Sequence, residues 1–262
     1  MLVVAFVWTL AGCAATPTQG TSSYRFDTVS NTCRQRPETC AALAGKEFTQ
    51  TPGLTVATMG ASAREALRVL ERGEQERIEE ALVRCAEQSR TEVLLAHRGD
   101  FAGQTPTREE CKQMVRNASG RNLSRAMQLG MEMHAAAMSC AERALTSLRP
   151  GDYSLEPCYR HDAQTGGTKV VTEADVQALK QSGNGGELQG TLVPDVVIHA
   201  GHPAQAQAVY DFKFPCANVD EAPPWRKYPK GHCHQGFHQG EMYEQALGVR
   251  AVRIVPRLGI VR

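Results

Sequence analysis

The sequence predicts an α+β protein in which a helical N-terminal part precedes a small mixed sheet. Apolar residues recur at steps of three and four through most of Ser62–Leu148, which is typical of amphipathic helices. Two short β-branched runs, Thr191–His199 and Gln207–Phe214, are joined by a Gly-His-Pro turn region and predict a hairpin. With 262 residues, a net charge of +1 and 42% hydrophobic residues, the chain can bury a core, and its overall charge indicates no particular partner.

The N-terminus is an apolar run of ten residues that ends in Leu10-Ala11-Gly12-Cys13. Ten residues are too few to span a bilayer but suit the hydrophobic region of a signal peptide. The last four residues resemble the bacterial lipobox, so Cys13 is the predicted lipidation site. Ala14 follows Cys13, which favours an outer-membrane or cell-surface lipoprotein. No Lys or Arg precedes the run, which leaves room for a start further upstream, and a buried strand with a chance cysteine is the alternative.

Eight further cysteines follow the lipobox: Cys33, Cys40, Cys85, Cys111, Cys140, Cys158, Cys216 and Cys233. An even number in an exported chain predicts up to four disulfides of undetermined connectivity, and Cys33 and Cys40 are close enough to pair locally. None of the spacings is C-x-x-C, which argues against a zinc ribbon. Thr16–Ser23 has the composition of a flexible tether.

Two helical segments flank a connector at Ala102–Pro106. Thr107 and Glu110 resemble a capping box at the start of the second segment. Arg121–Leu148 is the most regular helix, and it should be largely buried because few of its central residues are polar. The polar residues between positions 126 and 141 are Gln128, Glu132, His134 and Ser139. We interpret His134 as a hydrogen-bonded core histidine.

The remaining elements follow Pro150-Gly151, which ends that helix. They are a strand within Tyr153–Arg160, a helix Thr172–Gln181 capped by Thr172, the hairpin, a helix Gln239–Leu247 ended by Gly248, and a last strand within Val249–Pro256. From Arg121 the predicted order is therefore helix, three strands, helix, strand. Between the hairpin and the last helix, Trp225, Arg226 and Lys227 lie in a proline-rich loop. Aromatics among cations can contact bases and phosphates, although an ordinary surface loop fits equally well.

The hairpin carries the residues that point to chemistry. Asp195 follows Pro194 in the first run, and Asp211-Phe212-Lys213 ends the second. Residues i and i+2 of a strand project to the same face, so Asp211 and Lys213 lie together, and Asp195 reaches them if the strands pair. Two acids and a lysine in one place can hold a divalent cation and a phosphate.

These residues resemble the motif of the PD-(D/E)xK nuclease superfamily, and Gln239-x-x-x-Tyr243 resembles the Q-x-x-x-Y element of its RecB-like branch. The resemblance covers about the last half of the chain and is strongest to restriction-endonuclease-fold toxins that bacteria use against siblings. It implies a restriction-endonuclease-like αβββαβ core and a nuclease that depends on Mg²⁺ or Mn²⁺. The implied site has Asp195, Asp211 and Glu132 as metal ligands, with Lys213, Gln239 and Tyr243 as further catalytic residues. The resulting domains are a signal peptide and lipobox (1–13), a tether and loop-rich segment (14–60), a helical region (61–120) and a nuclease-like domain (121–262).

A nuclease behind a lipobox is expected to be cargo, similar to lipoprotein toxins exchanged between kin bacteria. The expected partners are a nucleic acid substrate (DNA rather than RNA), a cognate immunity protein, and a membrane bound through the lipid on Cys13. The toxic domain would act in the cytoplasm of the recipient. One alternative is a disulfide-linked cell-surface lipoprotein with a binding or structural role, in which Asp211 and Lys213 form an ordinary surface pair. A periplasmic scavenging nuclease is another.

Overall fold

A computed structural model of the chain describes residues 70–116, 120, 122–217 and 219–262. The predicted lipid anchor Cys13, the tether, and the pair Cys33 and Cys40 lie outside these residues. The described part is α+β, as predicted, with five α-helices and nine strands. None of its helices is both long enough and apolar enough to cross a membrane.

The helices are α1 (Arg72–Ala96), α2 (Arg108–Lys112), α3 (Arg125–Leu148), α4 (Glu173–Gln181) and α5 (Gln239–Leu247). The predicted capping box at the start of α2 is present, because Thr107 and Glu110 cap each other's backbone. Thr172 caps α4 as predicted, in a reciprocal pair with Asp175. α5 ends at Gly248, whose φ of 69° lies in the left-handed region that glycine adopts without strain.

The strands are β1 (Met114–Arg116), β2 (Asn122–Ser124), β3 (Tyr153–Leu155), β4 (Cys158–His161), β5 (Thr168–Val171), β6 (Val196–His199), β7 (Ala206–Phe212), β8 (Ala251–Val255) and β9 (Gly259–Val261). The main sheet has the order β3-β6-β7-β8-β9. All its pairs are antiparallel except β7 with β8, which is parallel. β1 with β2 and β4 with β5 form two small antiparallel pairs.

Some elements differ from the sequence prediction. β6 and β7 form the expected hairpin, but the single strand predicted within Tyr153–Arg160 is divided into β3 and β4, which belong to different sheets. The break falls at Glu156, whose φ of 46° turns the chain, and at Pro157. α3 begins after β2 rather than at Arg121, because Ser124 caps it by accepting a hydrogen bond from the Met127 amide at 3.2 Å.

One hydrophobic cluster joins the helices to one face of the sheet. It contains Ile78 and Leu82 from α1, Leu145 from α3, and Ile198 and Tyr210 from the sheet. Fully burying a leucine or isoleucine side chain stabilises a fold by roughly 1.5–3 kcal/mol. Residues before and after position 120 therefore contribute to the same core.

Two disulfides connect these layers. Cys85 of α1 is bonded to Cys140 of α3, and Cys111 of α2 is bonded to Cys216, just after β7. The opposite face of the sheet is covered by α5, where Met242 and Tyr243 pack on Val197 and Val209. The start of β6 and the end of β7 consequently lie between α3 on one side and α5 on the other.

Candidate active site

The hairpin brings the two predicted acids together at one end of the sheet. The pairing of Val196 with Tyr210 places Asp195, just before β6, opposite Asp211 of β7. Asp195 Oδ2 also accepts a hydrogen bond of 2.7 Å from the Phe212 amide. Asp195 and Asp211 are each only 1% exposed. Two carboxylates in such a place repel each other and must be balanced by cations.

Lys213 is held by partners from two elements. Its Nζ donates to Asp211 Oδ1 at 2.6 Å and to Gln239 Oε1 at 3.0 Å. Gln239 Nε2 in turn donates to the Tyr243 hydroxyl at 2.8 Å, and that hydroxyl donates to the Val193 carbonyl at 3.0 Å. Gln239 and Tyr243 are one turn apart on α5 and both are buried. The ammonium group is therefore fixed by a continuous chain of hydrogen bonds that returns to the segment before β6.

The Trp225 ring packs beside this chain. Lys213 Nζ lies 5.2 Å from the ring centroid, and the Arg253 guanidinium lies 5.7 Å from it. The ring meets Tyr243 edge-on at 6.1 Å, and it lies so close to Gly240 that a Cβ there would be 2.5 Å from a ring carbon. Cations within about 6 Å of a tryptophan face are attracted to it. Trp225 thus packs beside the ammonium group of Lys213 as well as against α5.

α3 contributes His134, which is buried. Its Nε2 lies 3.0 Å from Asp195 Oδ1, and the two side chains form an ion pair. Burial opposes protonation of His134, but the negative charge of Asp195, with smaller contributions from Glu156 and Asp211, raises its pKa to about 9. Burial likewise opposes ionisation of Asp195, yet the charges of His134 and Lys213 hold its pKa below the usual range. His134 and Asp195 therefore form a charged pair at neutral pH.

A third acid lies at the same place. Glu156, at the break between β3 and β4, donates its amide to the Asp195 carbonyl at 2.9 Å. One potential ligand atom from each of His134, Glu156 and Asp195 lies within 4.8 Å of the other two. One imidazole nitrogen and two carboxylate oxygens fit a divalent cation, and the imidazole suits Mn²⁺ or a later transition ion better than Mg²⁺. Within the described residues, no other group of three such side chains is close enough to share an ion.

The structure does not bring Glu132 to this place. Its Oε2 lies 2.6 Å from His97 Nε2, and its Oε1 accepts a hydrogen bond of 3.2 Å from Gln128. The other ring nitrogen of His97 lies 2.7 Å from Asp100 Oδ2. Residues two apart on an α-helix differ by about 200° around its axis, so Glu132 and His134 lie on opposite faces. α3 therefore presents His134, where the sequence had indicated Glu132.

His134, Asp195, Asp211, Lys213 and Gln239 line a cavity of about 330 Å³ between α3 and the end of β7. The lining residues are Ala126, Met127, Gly130, Met131 and His134 from α3, Asp195, Asp211, Phe212, Lys213 and Phe214 from the hairpin and the residues after it, Pro223, Pro224 and Arg226 from the following loop, and Gln239 from α5. Five of the six predicted site residues, all except Glu132, either line the cavity or, like Tyr243, bond to a residue that does. The arrangement can hold a cation and a phosphate side by side.

The sequence carried a signal for His134, which was not assigned to the site. His134 falls on the same helical stripe as Met127 and Gly130, both of which line the cavity, whereas Glu132 does not. For Glu156 the local sequence carried no such signal.

Comparison of the chain with protein-family models, with curated proteins and with solved structures finds no match. The side chains around the cavity are therefore the basis for assigning a function.

Proposed function

We propose that the chain is a metal-dependent nuclease that hydrolyses phosphodiester bonds of nucleic acid. The observation that carries this proposal is the burial of Asp195 and Asp211, each 1% exposed, beside Lys213 in one cavity. Two carboxylates buried side by side repel each other, and a divalent cation bound to them would remove that repulsion. An ordinary surface pair of Asp211 and Lys213, the alternative considered from the sequence, would leave the aspartate in water.

The order of the elements supports the same proposal. α3, β3, β6, β7, α5 and β8 follow one another as αβββαβ. The first three of these strands are antiparallel, and the fourth is parallel to the third. The order of these elements is the one that the resemblance to the nuclease superfamily implies for its core. β4, β5 and α4 are then an insertion between its first and second strands, and β9 extends the sheet at its other edge.

His134, Glu156 and Asp195 would hold a divalent cation, and Asp211 adds negative charge beside them. We expect Mg²⁺ or Mn²⁺, and the imidazole favours Mn²⁺. When bound, such a cation supplies an acidified water and neutralises charge on a phosphate. His134 must give up its proton to become a ligand, so cation binding and proton release are linked.

The other residues act on the phosphate and on each other. Lys213 is a cation held in a fixed position at the cavity, and it stabilises the negative charge that builds on a phosphate during hydrolysis. Gln239 and Tyr243 keep that ammonium in place through their hydrogen bonds. Pre-organised charge of this kind needs no rearrangement during the reaction, which is why it contributes strongly to rate.

The N-terminal lipobox extends the proposal to location and partners. Cys13 would anchor the chain to the outer membrane or cell surface, and transfer between cells would deliver the nuclease to the cytoplasm of a recipient. The two disulfides are compatible with an exported protein. A producer of such a toxin needs a cognate immunity protein, and the expected substrate is DNA rather than RNA.

The test is cleavage of plasmid DNA, of single-stranded DNA and of total RNA by the full chain in Mg²⁺, in Mn²⁺ or in chelator. Asp211→Asn keeps the shape but removes a negative charge, so we expect metal binding and cutting to weaken together. Lys213→Ala should leave metal binding intact, measured by calorimetry, while lowering the rate about a hundredfold or more. Lys169→Ala removes an exposed lysine of β5 and is the matched control.

Cleavage that persists in chelator would contradict the proposal, as would cleavage that survives both Asp211→Asn and Lys213→Ala. In either case the cutting does not come from this site, and the absence of any cleavage would favour the non-catalytic cell-surface lipoprotein.

A further inference from the structure

We infer that the cavity accepts an unpaired nucleotide, so that single-stranded nucleic acid is the substrate class of this site. The inference rests on the proposed nuclease function and makes it more specific.

The depth of the acids is the first observation. Asp195 and Asp211 are 1% exposed and line a cavity of about 330 Å³. That volume is at the low end of the roughly 300–1,000 Å³ of small-molecule sites. A duplex is a stiff rod with its bases stacked behind the phosphates, so a phosphate within it cannot reach the inside of a small cavity while its neighbours stay paired. A single strand can bend a phosphate inward and turn the attached base aside.

The composition of the walls is the second observation. The α3 side of the cavity is lined by Met127, Gly130 and Met131, and Phe214 and Pro223 also line it. These apolar groups offer neither a ligand to a cation nor a hydrogen bond or positive charge to a phosphate. They do suit the flat face of a nucleobase, since thioethers and aromatic rings both pack well on π systems.

Gly130 gives this wall a notch. A Cβ built on Gly130 would have no atom within 4 Å, so the space in front of it is open. On the other side of the cavity, Lys213 and Arg226 provide positive charge. A nucleotide can thus place its phosphate on the cationic side and its base against the methionines. Turning a base aside costs least when it has no pairing partner.

The test measures binding separately from cutting. The probe is a short fluorescein-labelled DNA strand, alone or annealed to its complement, and its anisotropy is followed as protein is added. Wild-type protein is used in chelator, and Asp211→Asn is used in Mg²⁺, so that cutting is slow in both. We expect binding of the single strand to be about tenfold tighter or more, because the duplex must first release a base.

Two leucine variants locate the preference. Gly130→Leu fills the notch, and Gly73→Leu changes another helical glycine whose Cβ would also meet nothing within 4 Å, but on α1. Both replace glycine by a better helix former, so both should melt at or above the wild-type temperature. We expect Gly130→Leu to weaken binding of the single strand about tenfold and Gly73→Leu to leave it unchanged. Met131→Ala, which removes part of the wall without adding bulk, should weaken it as well.

Equal affinity for single strand and duplex would overturn the inference, and so would unchanged single-strand binding by folded Gly130→Leu together with Met131→Ala. The two proposals fail in different ways. Preference for the single strand without metal-dependent cleavage leaves the nucleotide site standing and removes the nuclease. Cleavage of duplex as fast as of single strand leaves the nuclease standing and removes the preference.

Discussion

Gly240→Ala should disturb the site without touching any of its polar groups. Gly240 is the second residue of α5 and lies against the Trp225 ring. A Cβ at this position would be 2.5 Å from Cε2, 2.7 Å from Cδ2 and 2.8 Å from Nε1 of that ring. Carbon atoms pack best at about 3.5–4.0 Å, so the ring would have to move by about 1 Å.

The magnitude follows from two opposing effects. Overpacking of this kind costs about 1–3 kcal/mol, while Gly to Ala within a helix gains at most about 1 kcal/mol and less near an end. The net loss is therefore about 1–2 kcal/mol, or roughly 2–8 °C in Tm for a chain of this size. The effect on rate should be larger than on stability. Lys213 lies 5.2 Å from the ring centroid, and a misplacement of about 1 Å can lower a rate about a hundredfold.

Three measurements check this prediction. The chain has two tryptophans, and Trp8 lies in the predicted signal peptide, so fluorescence of the processed chain reports on Trp225. We expect a shifted emission, a lower Tm and slower cleavage with metal affinity unchanged. Gly73→Ala is the control, because its Cβ meets nothing within 4 Å and it should be neutral or stabilising. The reasoning is refuted if Gly240→Ala melts no lower than the wild type and keeps its emission spectrum.

Two further predictions concern the anchor and the displaced acid. Cys13→Ser should abolish labelling by a fatty-acid probe and release the protein from the donor membrane fraction, and retention without label in the wild type would rule out the lipoprotein. Glu132→Gln should leave metal binding unchanged but lower stability by about 1 kcal/mol near pH 6. Burial lowers the pKa of His97, but its hydrogen bonds to Asp100 and Glu132 outweigh burial and raise this pKa above about 6.5. The stabilisation that the His97–Glu132 pair gives is therefore present below that pH, and it is lost as the pH rises through the folded-state pKa. An equal loss of stability at pH 6 and at pH 9 would contradict this assignment.

The parts of the fold that the sequence predicted well are those set by local chemistry. Thr107 and Thr172 cap helices because their hydroxyls accept hydrogen bonds from the first turn, and such pairs are visible in sequence. The hairpin of β6 and β7 was equally visible, because β-branched runs around a turn leave few other solutions. Both features depend on neighbours in the chain.

The choice between Glu132 and His134 depended on which face of α3 is turned toward the cavity, and the sequence shows this only indirectly. α3 is apolar on most of its surface, so its pattern does not say which face meets the sheet and which meets α1. Packing decided this: Cys140, Ala137 and Ala141 face α1 and the sheet, and the stripe of Met127 and Gly130 is left to line the cavity with His134. Glu156 was missed for a similar reason, since its approach to Asp195 is set by the pairing of β3 with β6 rather than by local sequence.

The two disulfides turn the chain into a set of closed rings. The cysteines of one bond are 55 residues apart and those of the other 105. A ring cannot be threaded through a narrow pore as one extended strand, so a chain delivered into another cell must cross in its folded form or lose these bonds first. By loop-closure entropy the rings are worth about 4 and about 5 kcal/mol. In the proposed delivery, a reducing cytosol would withdraw that support only after arrival, and reduction of the bond at Cys216 would remove the covalent link between α2 and the residues after β7. The same two bonds would thus stabilise the folded protein outside the cell, and their reduction would limit how long the fold persists in the cytosol.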